Sequence, residues 1–158
     1  MHAALRCLAL AFALVAFVGG SARADGTKLV IVVAKGSKLT SISRSDLKRC
    51  FLGESIESND KPLVPFNTDP STPTRTGFDK GVLGMSPDEV GRFWVDRKVR
   101  GQSGAPRSLP SVGHVAKVVA KFPNAIGYLP EDQLTADVQP VSLDGVSYKD
   151  ANYPLRSQ

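Results

Sequence analysis

The stretch "KLVIVV", residues 28–33, decides the fold class of this sequence. Five of its six residues are apolar, and four of them are β-branched. A strand with apolar residues at consecutive positions buries both of its faces, whereas a strand with one face in water alternates between apolar and polar residues. We therefore predict a central strand that is covered on both faces of its sheet.

Helical patterns follow this strand. The sequence "SRSDLKRCFLG", residues 43–53, predicts a helix that begins at a cap on Ser43 or Ser45 and stops at Gly53. A second helix is predicted to begin near Thr72 or Pro73 and to end at Gly84. Its Thr74, Phe78 and Val82 would lie along one stripe.

The clearest helix start is in "SPDEVGRFWVDRKVRG", residues 86–101. Ser86 can cap the helix, Pro87 suits its first position, and Glu89 completes a capping box. A further helix is predicted to open at Ser111, with apolar residues at helical spacing up to residue 122. The stretch 101–110, "GQSGAPRSLP", is interpreted as a long loop.

Further strands are predicted at "PLVPF" (62–66), "AIGYL" (125–129) and "VQPVSL" (138–143). Strands that alternate with helices indicate one α/β domain with a mainly parallel or mixed sheet. The residues expected in or beside its core are Phe51, Phe78, Phe93, Trp94, Val115, Val119 and Ile126.

The N-terminus predicts export. One cation, Arg6, precedes an apolar run from Cys7 to Val18, and Ala22 and Ala24 form an A-x-A cleavage pattern. A membrane-spanning helix needs about 20 residues, and this run is shorter. We expect residues 1–24 to be a signal peptide and residues 25–158 to be the mature domain, in the periplasm or secreted.

Composition excludes several classes of function. Without Arg6 and Arg23, 18 Lys and Arg face 15 Asp and Glu, a charge of +3 with no basic cluster, so nucleic acid is not an expected partner. Cys50 is then the single cysteine, and it is interpreted as a small buried residue.

An enzyme is not expected either. His114 is the single mature histidine and is interpreted as a partly buried helix residue. The sequence has no G-x-S-x-G, Walker or H-E-x-x-H motif, so no catalytic residue, metal or cofactor is predicted.

The stretch "NTDPSTPTRTGF", residues 67–78, is the candidate site. It lies between a predicted strand and a predicted helix, where free N–H groups and the positive end of the helix dipole can meet an anion. Hydroxyl groups can donate to an oxyanion, a carboxylate can accept from a monoprotonated one, and an arginine can supply a planar two-donor clamp. The candidate ligand-binding residues are Asp69, Ser71, Thr72, Thr74 and Arg75.

The same residues have a purely structural interpretation. Ser71 or Thr72 caps the helix, Pro73 takes its first position, and Arg75 pairs with Asp79 one turn later. The residues alone leave both interpretations open.

A resemblance favours the first interpretation. "LTSISRSDLKRCFLGES" (39–55), "NTDPSTPTRTGF", "EVGRFW" (89–94), "VAKFPNAIGYLP" (119–130) and "YPLRS" (153–157) resemble segments of the periplasmic phosphate-binding proteins of ABC transporters. The resemblance extends over residues 28–156 and is most specific at "PNAIGYLP". It implies one lobe of a type II periplasmic binding protein, in a short one-domain form.

The family's R-D-x-S-G-T-T pattern matches this sequence at Asp69, Ser71 and Thr74. Thr68 stands in place of the arginine, and Thr72 and Pro73 replace the glycine and the first following threonine. Arg75 is a candidate replacement for the missing cation. Full-length members close two lobes around the anion, and this chain has room for about one.

Two hypotheses follow. The first is an exported module that binds phosphate or a similar oxyanion and serves ABC-type uptake or sensing, with an ABC permease as partner. The second is a binding-fold domain without a ligand that interacts with an envelope protein. A homodimer that supplies the missing lobe is compatible with the first.

Overall fold

The computed structural model describes residues 26–58, 60–102 and 104–157. The predicted signal peptide lies outside these residues, so its cleavage stays a prediction. Among the described residues, no helix has the length and apolar character needed to cross a membrane.

The structure is an α/β domain with one six-stranded mixed sheet, as predicted. The strands are β1 (Leu29–Ala34), β2 (Ser41–Ile42), β5 (Val64–Thr68), β6 (Arg107–Leu109), β7 (Ala125–Pro130) and β8 (Val138–Leu143), with a separate hairpin of β3 (Glu57–Ser58) and β4 (Lys61–Pro62). The order across the large sheet is β2-β8-β1-β7-β5-β6. β1 is antiparallel to β7 and β8, whereas β5 is parallel to β6 and β7, and β2 to β8.

Strand β1 is covered on both faces, which confirms the prediction from its apolar run. Leu29, Ile31 and Val33 join one core cluster, whereas Val30 and Val32 join a second cluster on the other face. All six residues of the strand are buried. The alternation of a strand thus divides one apolar stretch between two cores.

Helices cover both faces of the sheet. The first core lies under α1 (Arg44–Phe51), α2 (Pro73–Phe78), the π-helical turn Asp79–Leu83 and α3 (Pro87–Val99), and the second lies under α4 (Val112–Lys121). A short 3-10 turn, Glu131–Gln133, follows β7. The result is a three-layer arrangement in which α2 begins directly beyond the end of β5.

The helix boundaries agree with the predicted caps. Ser43 caps α1 and Ser111 caps α4 with their side chains, and Ser86 and Glu89 form both halves of the capping box of α3. Gly53 and Gly84, the predicted stops, adopt the left-handed conformation with φ of 90° and 70°. Such backbone conformations favour glycine because it lacks a Cβ atom.

Two predictions need correction. The loop predicted over residues 101–110 contains strand β6, which pairs with β5 from Phe66↔Arg107 to Thr68↔Leu109. This three-residue strand lies at the edge of the sheet with its first two residues exposed, so it carries no apolar alternation that a sequence pattern could reveal. His114 is exposed rather than partly buried, and its Nδ1 lies 2.8 Å from the Oγ of Ser111.

The residues predicted in or beside the core differ in how deeply they are buried. Phe51, Phe78, Val115, Val119 and Ile126 are buried, and Trp94 packs against the first core while half-buried. Phe93 is half-buried and meets the Trp94 ring edge-on, with ring centroids 5.0 Å apart. Cys50 is buried at 1% exposure, as predicted.

Candidate functional site

The candidate site is the connection from β5 to α2. β5 ends at Thr68, and α2 begins at Pro73 with Thr72 as its cap. β5 runs parallel to both of its neighbours, β6 and β7. Ligands of open α/β sheets bind beyond the carboxyl ends of such strands, so this connection has the position of a ligand site.

Asp69 and Ser71 form a tight polar turn within the connection. The N–H and the hydroxyl of Ser71 both donate to Asp69 Oδ1, at 2.8 and 2.5 Å. These two bonds, the side-chain bond foremost, lower the pKa of Asp69 below its ordinary value. Asp69 therefore stays ionised at neutral pH and acts as an acceptor.

Thr72 caps the N-terminus of helix α2. Its hydroxyl donates to the carbonyl oxygen of Asp69 at 2.8 Å and accepts the N–H of Arg75 at 3.2 Å. Its side chain therefore closes the turn on one side and starts the helix on the other. The capping role that the structural interpretation offered to Ser71 or Thr72 is filled by Thr72.

Thr74 keeps its hydrogen-bonding capacity. Within the described ranges, no protein acceptor receives its N–H, which belongs to the first turn of α2, and its hydroxyl has no protein partner. Its side chain is half-buried. The N–H and hydroxyl of Thr74 thus remain available to a ligand.

Arg75 lies beneath the turn and not on its surface. Its side chain is 7% exposed and that of Asp79 is fully buried. Its Nε donates to both carboxylate oxygens of Asp79 at 2.8 Å, and its Nη1 donates to the carbonyl oxygen of Thr68 at 3.3 Å. The pairing with Asp79 anticipated in the structural interpretation is therefore present, and it fastens α2 to the end of β5.

Burial changes the pKa of the carboxyl group in this pair. Desolvation raises the pKa of Asp79 above its ordinary value, and the guanidinium of Arg75 opposes that rise. An ionised Asp79 in this position therefore depends on its arginine.

Aromatic packing supports the site from the core. The Tyr128 hydroxyl donates to Asn67 Oδ1 at 3.1 Å, and its ring stacks on Phe78 with centroids 3.9 Å apart and planes at 5°. Burial raises the pKa of Tyr128, so this hydroxyl stays protonated as a donor. Sequence reasoning missed Asn67 and Tyr128 as site supports, because they are 61 positions apart and neither belongs to a local motif.

The site is an open surface. Large cavities among the described residues lie along α3, one lined by Pro87 and Val99 and another by Trp94 and Gln102, and a smaller one lies between β6 and α4. In the part of the chain that the structure describes, no group of three metal-ligating side chains comes together. The turn can thus offer hydrogen bonds and one carboxylate to a small ligand, while solvent reaches it freely.

Solved structures share this fold. The chain matches a phosphate ABC transporter substrate-binding protein with bound phosphate from Clostridium perfringens at 20% identity and a TM-score of 0.63, covering 77% of this chain and 46% of that one. An ABC-type phosphate transport receptor from Vibrio cholerae matches at 16% identity and a TM-score of 0.61, covering 77% and 48%. PstS from Borrelia burgdorferi matches at 15% identity and a TM-score of 0.62, covering 83% and 55%.

No protein-family model matches the sequence, and a search of the curated proteins gives no match either. The chain spans about half the length of the solved proteins it resembles. The expected resemblance to phosphate-binding proteins is thus confirmed at the level of structure. The protein has the fold of part of a periplasmic phosphate-binding protein.

Proposed function

We propose that this protein is an exported solute-binding module that takes phosphate or a similar oxyanion at the β5–α2 connection. The observation that carries the proposal is the connection itself. It follows the carboxyl end of a strand flanked by parallel neighbours, opens a helix, and holds two donors without protein partners, in a fold whose solved examples include a protein with bound phosphate.

Each proposed residue has a distinct role. Thr74 donates its N–H and hydroxyl, and Ser71 donates its hydroxyl by turning from Asp69. Asp69 accepts a hydrogen bond from the hydroxyl of a monoprotonated oxyanion. Thr72 holds the turn in shape, and Arg75 contributes its positive charge from below while it positions the start of α2.

This arrangement favours phosphate over sulfate. Near neutral pH a phosphate ion carries a proton that it can donate to Asp69, whereas sulfate carries none and would meet the carboxylate as a like charge. Because the site is open, its bonds are weakened by solvent and salt, and we expect an affinity in the micromolar to millimolar range.

Calorimetric titration of the chain from Asp25 onward with phosphate and sulfate, at low salt, tests the proposal. Ser71→Ala and Thr74→Ala should each weaken phosphate binding about 2- to 10-fold, the effect of one hydrogen bond. Asp69→Asn should reduce the preference for phosphate over sulfate. Thr135→Ala, an exposed threonine before β8, is the matched control and should bind as the unaltered protein does.

Arg75→Ala should weaken binding about tenfold or more if its charge acts on the anion. Because this arginine is buried, its variant is interpreted only where circular dichroism shows a folded domain. Phosphate affinity that is unchanged in the Ser71, Thr74 and Arg75 variants would put the site elsewhere.

Export is part of the proposal. The sequence predicts cleavage after Ala24, so the protein recovered from the cell envelope should have the intact mass of a chain that begins at Asp25. Recovery of the full-length chain in the inner membrane would contradict this. A link to an ABC permease is proposed on the strength of the resemblance and would be tested by co-purification from membranes.

The second candidate is a domain without a ligand that interacts with an envelope protein. Two observations favour it: Ser71 of the proposed site is exposed to solvent, and α3 exposes apolar side chains to solvent. If neither phosphate nor sulfate produces a titration signal at millimolar concentration, this alternative replaces the first.

A further inference from the structure

The outer face of helix α3 exposes two large apolar side chains. Val95 is 64% exposed and Val99 is 81% exposed. The two lie four positions apart, so they are neighbours on one side of the helix. Val90 and Trp94 occupy the opposite side and pack towards the first core. Other residues therefore form the side of α3 that packs on the core, and the two valines remain largely exposed to solvent.

Gly91 lies on the same outer face, one turn before Val95. A Cβ atom placed there would meet nothing within 4 Å. Glycine inside a helix costs roughly 0.5–1 kcal/mol relative to alanine, and the described residues show no close contact that requires it. A missing side chain on an exposed face does, however, let another molecule approach the helix closely.

Charges on this helix alternate in sign at every fourth position. The series is Asp88, Arg92, Asp96 and Arg100, and its last two members form an ion pair along the helix, with Arg100 Nη2 3.1 Å from Asp96 Oδ2. Such a series has the property of matching itself when reversed. Reading it backwards brings an acidic position opposite each basic one.

Helix geometry gives the register of this match. In an antiparallel pair centred at the level of Trp94, Arg92 of one copy lies opposite Asp96 of the other, and Asp88 lies opposite Arg100. At about 1.5 Å per residue, the two Val95 side chains then lie about 3 Å apart along the axis, and Val99 lies about 3 Å from the level of Gly91. The valine thus fits over the glycine, where no Cβ stands in its way.

We propose that a second copy of this chain docks on this face, with the two α3 helices antiparallel about a two-fold axis. The occupant is a second copy because the charge series and the valine–glycine spacing complement themselves, which is the requirement of a two-fold interface. One helix pair buries less than the roughly 1,200 Å² of a standard interface, so the dimer is weak and sensitive to salt. This inference does not depend on phosphate binding.

Sedimentation equilibrium of the chain from Asp25 onward, from about 10 μM to 1 mM, tests the proposal through charge reversal. R92D and D96R should each lower the association constant about tenfold, because each homodimer then opposes like charges. An equimolar mixture of the two should associate again, since each reversed residue meets an opposite charge on the other variant. Failure of the mixture to associate would overturn the proposed register.

The variant Gly91→Leu distinguishes a loss of association from a loss of folding. The monomer has open space at this position, so the variant should keep or raise its melting temperature while it loses association. Phe122→Ser, which removes an exposed aromatic ring beyond the end of α4, is the control and should associate normally. A wild-type protein that stays monomeric at 1 mM, or a Gly91→Leu variant that associates as the wild type does, would refute the proposal.

Discussion

Replacing Arg75 by methionine removes the one guanidinium that contacts Asp79 in the described structure while keeping most of the side chain's volume. Asp79 has no exposed surface, and it receives the Arg75 Nε on both carboxylate oxygens. Breaking a buried ion pair by removing one partner costs about 3–5 kcal/mol, because the remaining charge stays buried without compensation. We expect a loss of this size in the free energy of unfolding at pH 7.

A double-mutant cycle isolates the pair. R75M/D79L removes both charges and replaces them by apolar groups of similar volume, which is often neutral for a buried pair. Each single variant should lose about 3–5 kcal/mol, whereas the double variant should lie within about 1.5 kcal/mol of the unaltered protein. The two single losses should therefore sum to far more than the loss of the double variant, which is the signature of direct coupling between the two positions. Urea unfolding followed by tryptophan fluorescence and circular dichroism measures all four proteins.

The difference in stability between R75M and the unaltered protein should depend on pH. Burial raises the folded-state pKa of Asp79, and removal of Arg75 raises it further. A carboxyl with a raised pKa is most favourable to the fold below its unfolded pKa, about 4, and loses that advantage as the pH rises through its folded value. The R75M variant should therefore approach the unaltered protein in stability as the pH falls towards 4.

One result would refute this reasoning. If R75M loses less than about 1 kcal/mol at pH 7, Asp79 is hydrated or protonated and the pair does not hold α2 to β5. Arg75 would then be free to turn outward at little cost, and the two-donor clamp on an anion would become its natural role.

Two further predictions concern the core. Phe78→Ala should lower the free energy of unfolding by about 4–5 kcal/mol, the upper part of the range for a buried aromatic residue. The reason is that Phe78 is 0% exposed and contacts the rings of Phe51 and Tyr128. A loss under about 1 kcal/mol in urea unfolding would put its ring outside the core. Burial raises the pKa of Cys50 to about 11 from 9.0, so iodoacetamide at pH 8 should label it only on unfolding, and rapid labelling of the folded protein would contradict its burial. Stability should also fall as the pH rises from about 9 through 11, and this fall should be smaller in Cys50→Ala.

Local features of this protein were predictable from sequence. The buried strand β1, the caps Ser43 and Ser86, and the stops Gly53 and Gly84 all lie where their patterns indicated. Each depends on hydrogen bonds or side-chain directions within a few residues of chain. Such interactions form in the same way whatever the rest of the molecule does.

At the candidate site, some features were predictable from the sequence and others were not. The sequence determined that a polar turn joins β5 to a helix, and it named the pairing of Arg75 with Asp79 as one of two interpretations. It could not choose between them, because the choice depends on which side of α2 faces the core. That side is determined by Phe78 stacking on Tyr128, a residue 50 positions away on β7.

The tertiary structure alone decided the strand order, the edge strand β6 and the direction in which Arg75 points. β6 lacks any apolar pattern, and it forms because β5 presents a free edge of backbone groups to it. Arg75 faces inward because Asp79 is buried and needs a cation. In this protein the sequence by itself determined the helices, the long strands and several of their ends, where energies are local. Packing between distant residues determined which polar groups stay available to a ligand.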